Sequence, residues 1–407
     1  MKLRVCNFGP IRDGFSDFID FAKVTVFCGP QGSGKSTVAK LFSTLSWVEK
    51  TLCRLSFPRV LTSYTREMFL KDLAWQGIAD YLTDETEFEY KGDGYRIVLS
   101  KGMLEVESLE TVADYAMPKI MYMPAERNFA SIVRNALRVE NLPESLVNLQ
   151  VEFERAKKLY KQGYKLPANG FRFSFDEEKG ESWILNGRED ASSTPLHLAS
   201  SGLQSIVPLL LVSESLESGL SKTGVVDVDA FFADAAPQKR LDAEVFFNRV
   251  KAMKLDRTIE AETIVRYLMP CTRFLNVVEE PEQNLYPETQ CEVVDRLLAL
   301  ANRREKSSLV ISTHSPYVVN HLQLVAQAEE VARKSKMTEQ VVGQLPIPRD
   351  ALTAAADIRL YEMHLDGSIT LAQGEDGFIS DANPLNRSLA EFNEQYAQMF
   401  EIEDLHA

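Results

Sequence analysis

An α/β fold, an open sheet with helices packed across it, is predicted by three observations. The apolar, β-branched run Lys23–Cys28 leads without a gap into a glycine-rich run. Directly after it, Val38–Lys50 (VAKLFSTLSWVEK) carries its apolar residues at helical period. Two further short apolar runs, Phe274–Val278 and Ser308–Ser312, read as buried strands, each followed by a helical pattern, Pro287–Ala301 and Pro316–Lys334. With 407 residues the chain is long enough for a large α/β domain with an insertion, or for two domains.

The remaining elements follow in order. Lys2–Phe8 reads as a strand closed by a Gly-Pro turn, and Leu52–Thr83 as a helical connection. Glu87–Glu107 alternates strands with the turns KGDG and KG, the pattern of a meander. Pro118–Pro124 is a strand, and Glu144–Gly163 a charged helix. Phe171–Phe175 and Ser182–Leu185 are expected to pair, and Ser201–Leu220 to form a helix opened by Ser-Ser-Gly. The stretch 223–239 is irregular, and 242–268 returns to helical period. The tail holds a loop to Arg349, a hairpin-like segment Ile358–Leu371 and a closing helix near Ser388–Ile402. These divisions predict a head split into residues 1–140 and 271–335, an inserted helical and β lobe at 141–270, and a small acidic C-terminal extension at 336–407.

Apolar residues make up 45% and charged residues 26%, values that exclude wholesale disorder. The net charge of −14 argues against a surface coated in basic charge for nucleic acid, leaving one local strip, Arg155, Lys157, Lys158, Lys161 and Lys165, as a place for DNA. From residue 375 to the end, eight acidic residues face one arginine, which makes the tail a docking segment for a basic partner or a solubilising helix. Five scattered cysteines without CxxC spacing argue against a disulfide framework or a cysteine zinc site and predict a reducing cytoplasm. There is no secretory pattern at the N-terminus. The longest apolar stretch, near Ile206–Val212 and interrupted by Pro208, is far short of the roughly 20 residues of a membrane span.

Gly29-Pro-Gln-Gly-Ser-Gly-Lys-Ser36 matches G-x-x-x-x-G-K-[ST] between a strand and a helix, the context that this phosphate loop requires. Gly29, Gly32 and Gly34 let the backbone wrap a phosphate without Cβ clashes. The N–H groups of Gln31, Ser33 and Thr37 belong to the same anion-binding nest at a helix N-terminus. Lys35 is expected on the β- and γ-phosphates, and the Ser36 hydroxyl on Mg²⁺.

Two strand ends supply the remaining chemistry. Phe274–Val278 delivers Glu279 and Glu280 where open α/β sheets place their sites. Glu279 is assigned to the Mg²⁺ shell and Glu280 to the attacking water. Ser308–Ser312 delivers His314, which is placed to bond a γ-phosphate and respond to its loss. Leu198–Ser205 opens a helix with Ser and Gly, a further anion site. Glu126 and Arg127 follow a strand of the same kind, with Arg127 expected within reach of a phosphate.

Taken together, this order resembles the ATP-binding-cassette class of P-loop ATPases. Ser200-Ser-Gly-Leu-Gln204 is similar to the signature of that class, with Ser201, Gly202 and Gln204 at matching places. NFGPI, GPQGSGKST, MPAERN, ASSGLQS, EEPEQNLYP and STHSPY resemble the ATPase part of the overcoming-lysogenization-defect family and related bacterial anti-phage ATPases. The blocks span residues 1 to about 320 and leave the last 85 or so uncovered. Three features depart from the class: Glu279 stands where an aspartate is usual, Leu203 where a second glycine is usual, and the Q-loop glutamine has no obvious counterpart.

The resemblance implies ATP and Mg²⁺ as cofactors and a homodimer or higher oligomer of heads. Two ATPs are sandwiched between paired heads, each phosphate loop facing the partner's signature. Lysogenization-defect relatives also carry a metal nuclease domain built on a Glu and an Asp-x-Asp pair. The one Asp-x-Asp here, Asp227-Val-Asp229, precedes the acidic strand, so a separate effector protein, nuclease or toxin, is expected. The alternatives are a recombination-type DNA-repair ATPase that binds DNA ends through the basic strip, and an ATP-gated scaffold with slow hydrolysis. A transporter subunit fits poorly, because about 165 residues separate Lys35 from Ser201. The absence of sustained heptads argues against a chromosome scaffold with a long coil.

Overall fold

The computed structural model describes residues 1–55, 64–133, 139, 142–168, 170–187, 193–221, 270–374, 376–381 and 383–406. The irregular stretch 223–239, the helix expected at 242–268, and with them Asp227 and Asp229, lie outside the described residues.

The chain opens with β1 (Lys2–Cys6), β2 (Gly14–Phe15), β3 (Ile19–Asp20) and β4 (Val24–Cys28), then α1 (Lys35–Leu55) and α2 (Arg66–Trp75). The meander β5 (Glu87–Lys91), β6 (Tyr95–Ser100) and β7 (Met103–Ser108) precedes β8 (Pro118–Met123), α3 (Phe129–Ile132) and α4 (Glu144–Lys157). Next come β9 (Tyr164–Lys165), β10 (Arg172–Asp176), β11 (Glu181–Leu185), β12 (Ser193–Pro195) and α5 (Ser201–Ser218). The last part holds β13 (Arg273–Glu279), α6 (Pro287–Asn302), β14 (Ser308–Thr313), α7 (Pro316–Lys334), α8 (Glu339–Val342), β15 (Ile358–Met363), β16 (Ser368–Leu371) and α9 (Pro384–His406).

The fold is mixed α/β; the described residues form one seven-stranded sheet, ordered β2-β16-β15-β4-β14-β13-β8, and two smaller antiparallel sheets. The five strands β15, β4, β14, β13 and β8 run parallel. Every residue of β4, β13 and β14 is buried, as expected of strands covered on both faces. Their alternation divides the core. Val24, Val26, Val278, Leu309 and Ile311 join one apolar cluster, with α5, α6 and α7. Phe27, Leu275, Val277 and Val310 join the other, with α1 and the meander. Each such side chain contributes about 1.5–3 kcal/mol by leaving water.

Local chemistry sets the element ends. Val38 N–H donates to Gly34 O at 3.0 Å, so α1 begins at the phosphate loop itself and is longer than its periodic stretch suggests. The helix expected to Gly163 ends at Lys157 and a single 3-10 turn, because Gly163 (φ 105°) turns the chain into β9. Pro208 lies inside α5 and has no N–H for Gln204 O, and the Ser131 hydroxyl donates to that carbonyl at 2.7 Å instead.

Long-range pairing adds what periodicity does not carry. β1 pairs with β5 and closes the meander into a five-stranded sheet. The hairpin β15–β16, from the C-terminal segment, joins the central sheet directly beside β4. No helix among the described residues is long and apolar enough to cross a membrane.

Candidate phosphate-binding site

Register brings the motifs to one end of the sheet. Cys28 lies beside Thr313, Ser312 beside Glu279, and Val278 beside Met123. Gly29, His314, Glu280 and Pro124 therefore leave the sheet together at the C-terminal ends of four adjacent parallel strands.

In the phosphate loop, Gly29, Gly32 and Gly34 have φ of 142°, 79° and 95°. A Cβ on Gly29 would lie 2.2 Å from Met363 O of β15, so this position needs glycine for space as well as for conformation. Lys35 is buried, and its Nζ donates to Gly29 O at 2.9 Å and Pro30 O at 2.7 Å. Burial lowers its pKa, while Glu280, Cys28, Glu282 and Glu279 act the other way. Ser33 is buried and donates from Oγ to Pro30 O at 2.8 Å, and Thr37 is buried behind the loop. Gln31, Gly32 and Ser36 are exposed on the open side.

Glu279 ends β13 and is buried, with Oε2 accepting from Ala125 N–H at 3.2 Å. Its Oε1 is buried and makes no hydrogen bond of normal length among the described residues, with the Tyr122 hydroxyl facing the carboxylate. Glu280 is half-exposed and has left the strand, with φ of 43°. Its N–H donates to Ser312 O at 2.8 Å, and its carboxylate lies 3.8 Å from His314 Nε2. The Gly29 backbone also faces the His314 ring and favours its protonated form. Burial and Lys35 push its pKa below the ordinary value, against Glu280, so the imidazole is held toward its neutral form. Gly29, Lys35, Glu280 and His314 thus form one constellation.

Arg127 departs from its expected place. It is fully buried, and its guanidinium donates to the carbonyls of Glu279 and Glu280 at 2.6 Å each, not toward a phosphate. Burial lowers its pKa to about 10 despite four neighbouring glutamates.

Glu282 is a site residue that the motifs did not single out. Its Oε1 accepts from His314 N–H and Thr313 Oγ, both at 2.8 Å, tying the turn after β13 to the end of β14. Burial raises its pKa. The only sequence signal was a third acid in EEPE.

The signature-like segment lies elsewhere. Ser201 is exposed at the first turn of α5, and Gly202 packs so closely that a Cβ would lie 2.6 Å from Asn284 O. Gln204 is turned inward, with Nε2 donating to His197 O at 3.0 Å and Leu196 O at 3.4 Å. A cavity of about 430 Å³ opens between Ser200, Gly202 and Leu203 on one side and Asn284–Tyr286 on the other.

The basic strip is largely spent on local pairs. Arg155 bonds Glu152 at 3.3 Å, Lys157 bonds Glu154 at 2.7 Å, and Lys161 bonds Glu177. Lys165 belongs to a strand, not to the same helix.

Among the described residues no group of three or more His, Cys, Asp or Glu side chains is placed to hold a metal. The residues nevertheless fit a Mg²⁺ whose remaining ligands are phosphate and water, because Glu279 Oε1 is an orphaned buried carboxylate oxygen and Ser36 offers an exposed hydroxyl.

No family model and no curated protein matches the chain. Among solved structures, the chain is similar to an SMC head domain from Thermotoga maritima at 12% identity, covering 92% of this chain and 98% of that one, with a TM-score of 0.35. It is similar to a dimeric ATP-binding cassette in a post-hydrolysis state bound to ADP and Pi, at 12% identity over 91% and 99% of the two chains, TM-score 0.30. An Smc head domain with an extended coiled coil, bound to the C-terminal domain of ScpA and derived from Pyrococcus furiosus, is 10% identical over 91% and 94%, TM-score 0.37. Values this low leave the site itself as the ground for a functional reading.

Proposed function

We propose that the chain is an ATPase of the ATP-binding-cassette type that works as a switch, pairing around ATP and separating after hydrolysis. One observation carries this reading: the phosphate loop, two successive glutamates and His314 meet at one end of adjacent parallel strands, with the Lys35 ammonium among them. The nest and Lys35 bind the β- and γ-phosphates. Ser36 and Glu279 would hold Mg²⁺, which neutralises phosphate charge when bound. Glu280, half-exposed and close to His314, orients the attacking water and accepts its proton. His314, held toward the neutral form, bonds the γ-phosphate.

Pairing is supported by Ser201. It is exposed at a helix N-terminus while its neighbour Gly202 packs on Asn284, which leaves the hydroxyl for the nucleotide of a second copy. The wider role, a bacterial anti-phage switch that controls a separate nuclease or toxin, rests on the resemblance of the sequence blocks alone. The ion pairs along Arg155–Lys161 weigh against a DNA-end role.

The test is ATP turnover by the purified chain, with Glu280→Gln as the blank, with and without duplex DNA at low and moderate salt. Turnover that Glu280→Gln abolishes and DNA leaves unchanged supports the switch. Stimulation that fades with salt moves the reading to DNA ends. Equal turnover by both proteins ends the assignment of Glu280.

A further inference from the structure

We infer that Arg127 is a positioning residue for hydrolysis, whose guanidinium fork fixes the backbone from which the Glu280 carboxylate projects; this rests on the ATPase reading above. Arg127 stands in the 3-10 turn Ala125–Asn128 that follows β8, the strand beside β13. It heads the largest fully buried side chains of the described residues. Nη1 donates to Glu279 O at 2.6 Å and, at 3.3 Å, to Pro124 O, while Nη2 donates to Glu280 O at 2.6 Å.

In a regular strand successive carbonyls point to opposite sides, so one planar group does not take two in a row. Here both reach the same fork because Glu280 has turned to φ 43°. Glutamate does not favour that conformation, and something outside it must hold it. The Glu280 N–H on Ser312 O pins one side of the Glu279–Glu280 peptide, Nη1 on Glu279 O pins the other, and Nη2 holds the carbonyl that follows. Burying a guanidinium is costly, and an apolar residue would fill the space more cheaply. What an apolar residue cannot supply is two rigid donors aimed at adjacent carbonyls. Lysine, with a single flexible ammonium, does not reproduce the fork either. Arg127 has no exposed surface, so it touches neither nucleotide nor water and acts only through Glu280.

The experiment compares steady-state turnover, equilibrium ATP binding and thermal unfolding for the full chain, Arg127→Lys and Arg127→Gln. Displacing a reacting group by about 1 Å costs on the order of 100-fold, so kcat should fall by about that factor. ATP affinity should stay within about threefold of the unsubstituted chain. Where Arg127→Gln does not fold, Arg127→Lys, which keeps the buried charge, carries the test. Arg127→Lys with unchanged kcat overturns the inference. So does a parallel fall of kcat, ATP affinity and folded fraction, the mark of a merely structural residue. If Glu280→Gln stops turnover while Arg127→Lys leaves kcat unchanged, only this inference falls. If the unsubstituted chain hydrolyses no ATP, the ATPase reading falls with it.

Discussion

Burial works against the charged form of both Lys35 and His314, and Glu280 works for it in both. Lys35 keeps its ammonium against two loop carbonyls, inside a ring of glutamates that favour its charge. Lys35→Ala is therefore expected to abolish detectable binding of a fluorescent ATP analogue, and retained micromolar binding would contradict the site. His314 has a folded pKa below its unfolded value of about 6.5. The unfolded chain thus takes up the proton first as pH falls, so the contribution to stability is complete above that value and declines below it. Urea midpoints should fall more steeply between about pH 7 and 5.5 for the unsubstituted chain than for His314→Gln. Identical slopes would remove the claim.

At the scale of elements, the phosphate loop depends on β15 as well as on its own glycines. Gly29→Ala sets a Cβ at 2.2 Å from Met363 O and strains a φ of 142°. Gly32→Ala meets no atom within 4 Å and bears only the strain of φ 79°. Urea unfolding should therefore show a loss of about 1–3 kcal/mol for Gly29→Ala and about 1 kcal/mol for Gly32→Ala. The reverse order would show that the loop does not lie against β15. Legibility in the sequence differs in the same way. The helix over Pro316–Lys334 was read to the residue because Ser315 caps it, its Oγ accepting from Tyr317 and Val318 N–H, and proline opens it. The end of α4 was overrun, because the charge pattern continues past the point where Gly163 turns the chain.

For the whole molecule, ATP is expected to act as glue between two copies. Glu280→Gln with ATP and Mg²⁺ should double the mass seen by light scattering, as closed pairs accumulate. Ser201→Arg should bind ATP as one copy and fail to pair. A Glu280→Gln chain that stays single at saturating ATP would refute the sandwich. Two-fold closure is the expected geometry for such a pair.

The sequence by itself determined the long strands of the parallel sheet, the phosphate loop and the residue types of the site, because local periodicity and glycine chemistry are written in contiguous residues; the two-residue strands β2, β3 and β9 and the three-residue β12 were not legible there. It also carried the order in which Glu279, Glu280 and His314 leave their strands. Tertiary structure alone decided three things. It placed the C-terminal hairpin beside β4, turned Arg127 from a phosphate onto two carbonyls, and made Glu282 the tie between the acidic turn and His314. Each depends on contacts between residues far apart in the chain, where packing and the pairing of buried polar groups decide and local propensity has no say.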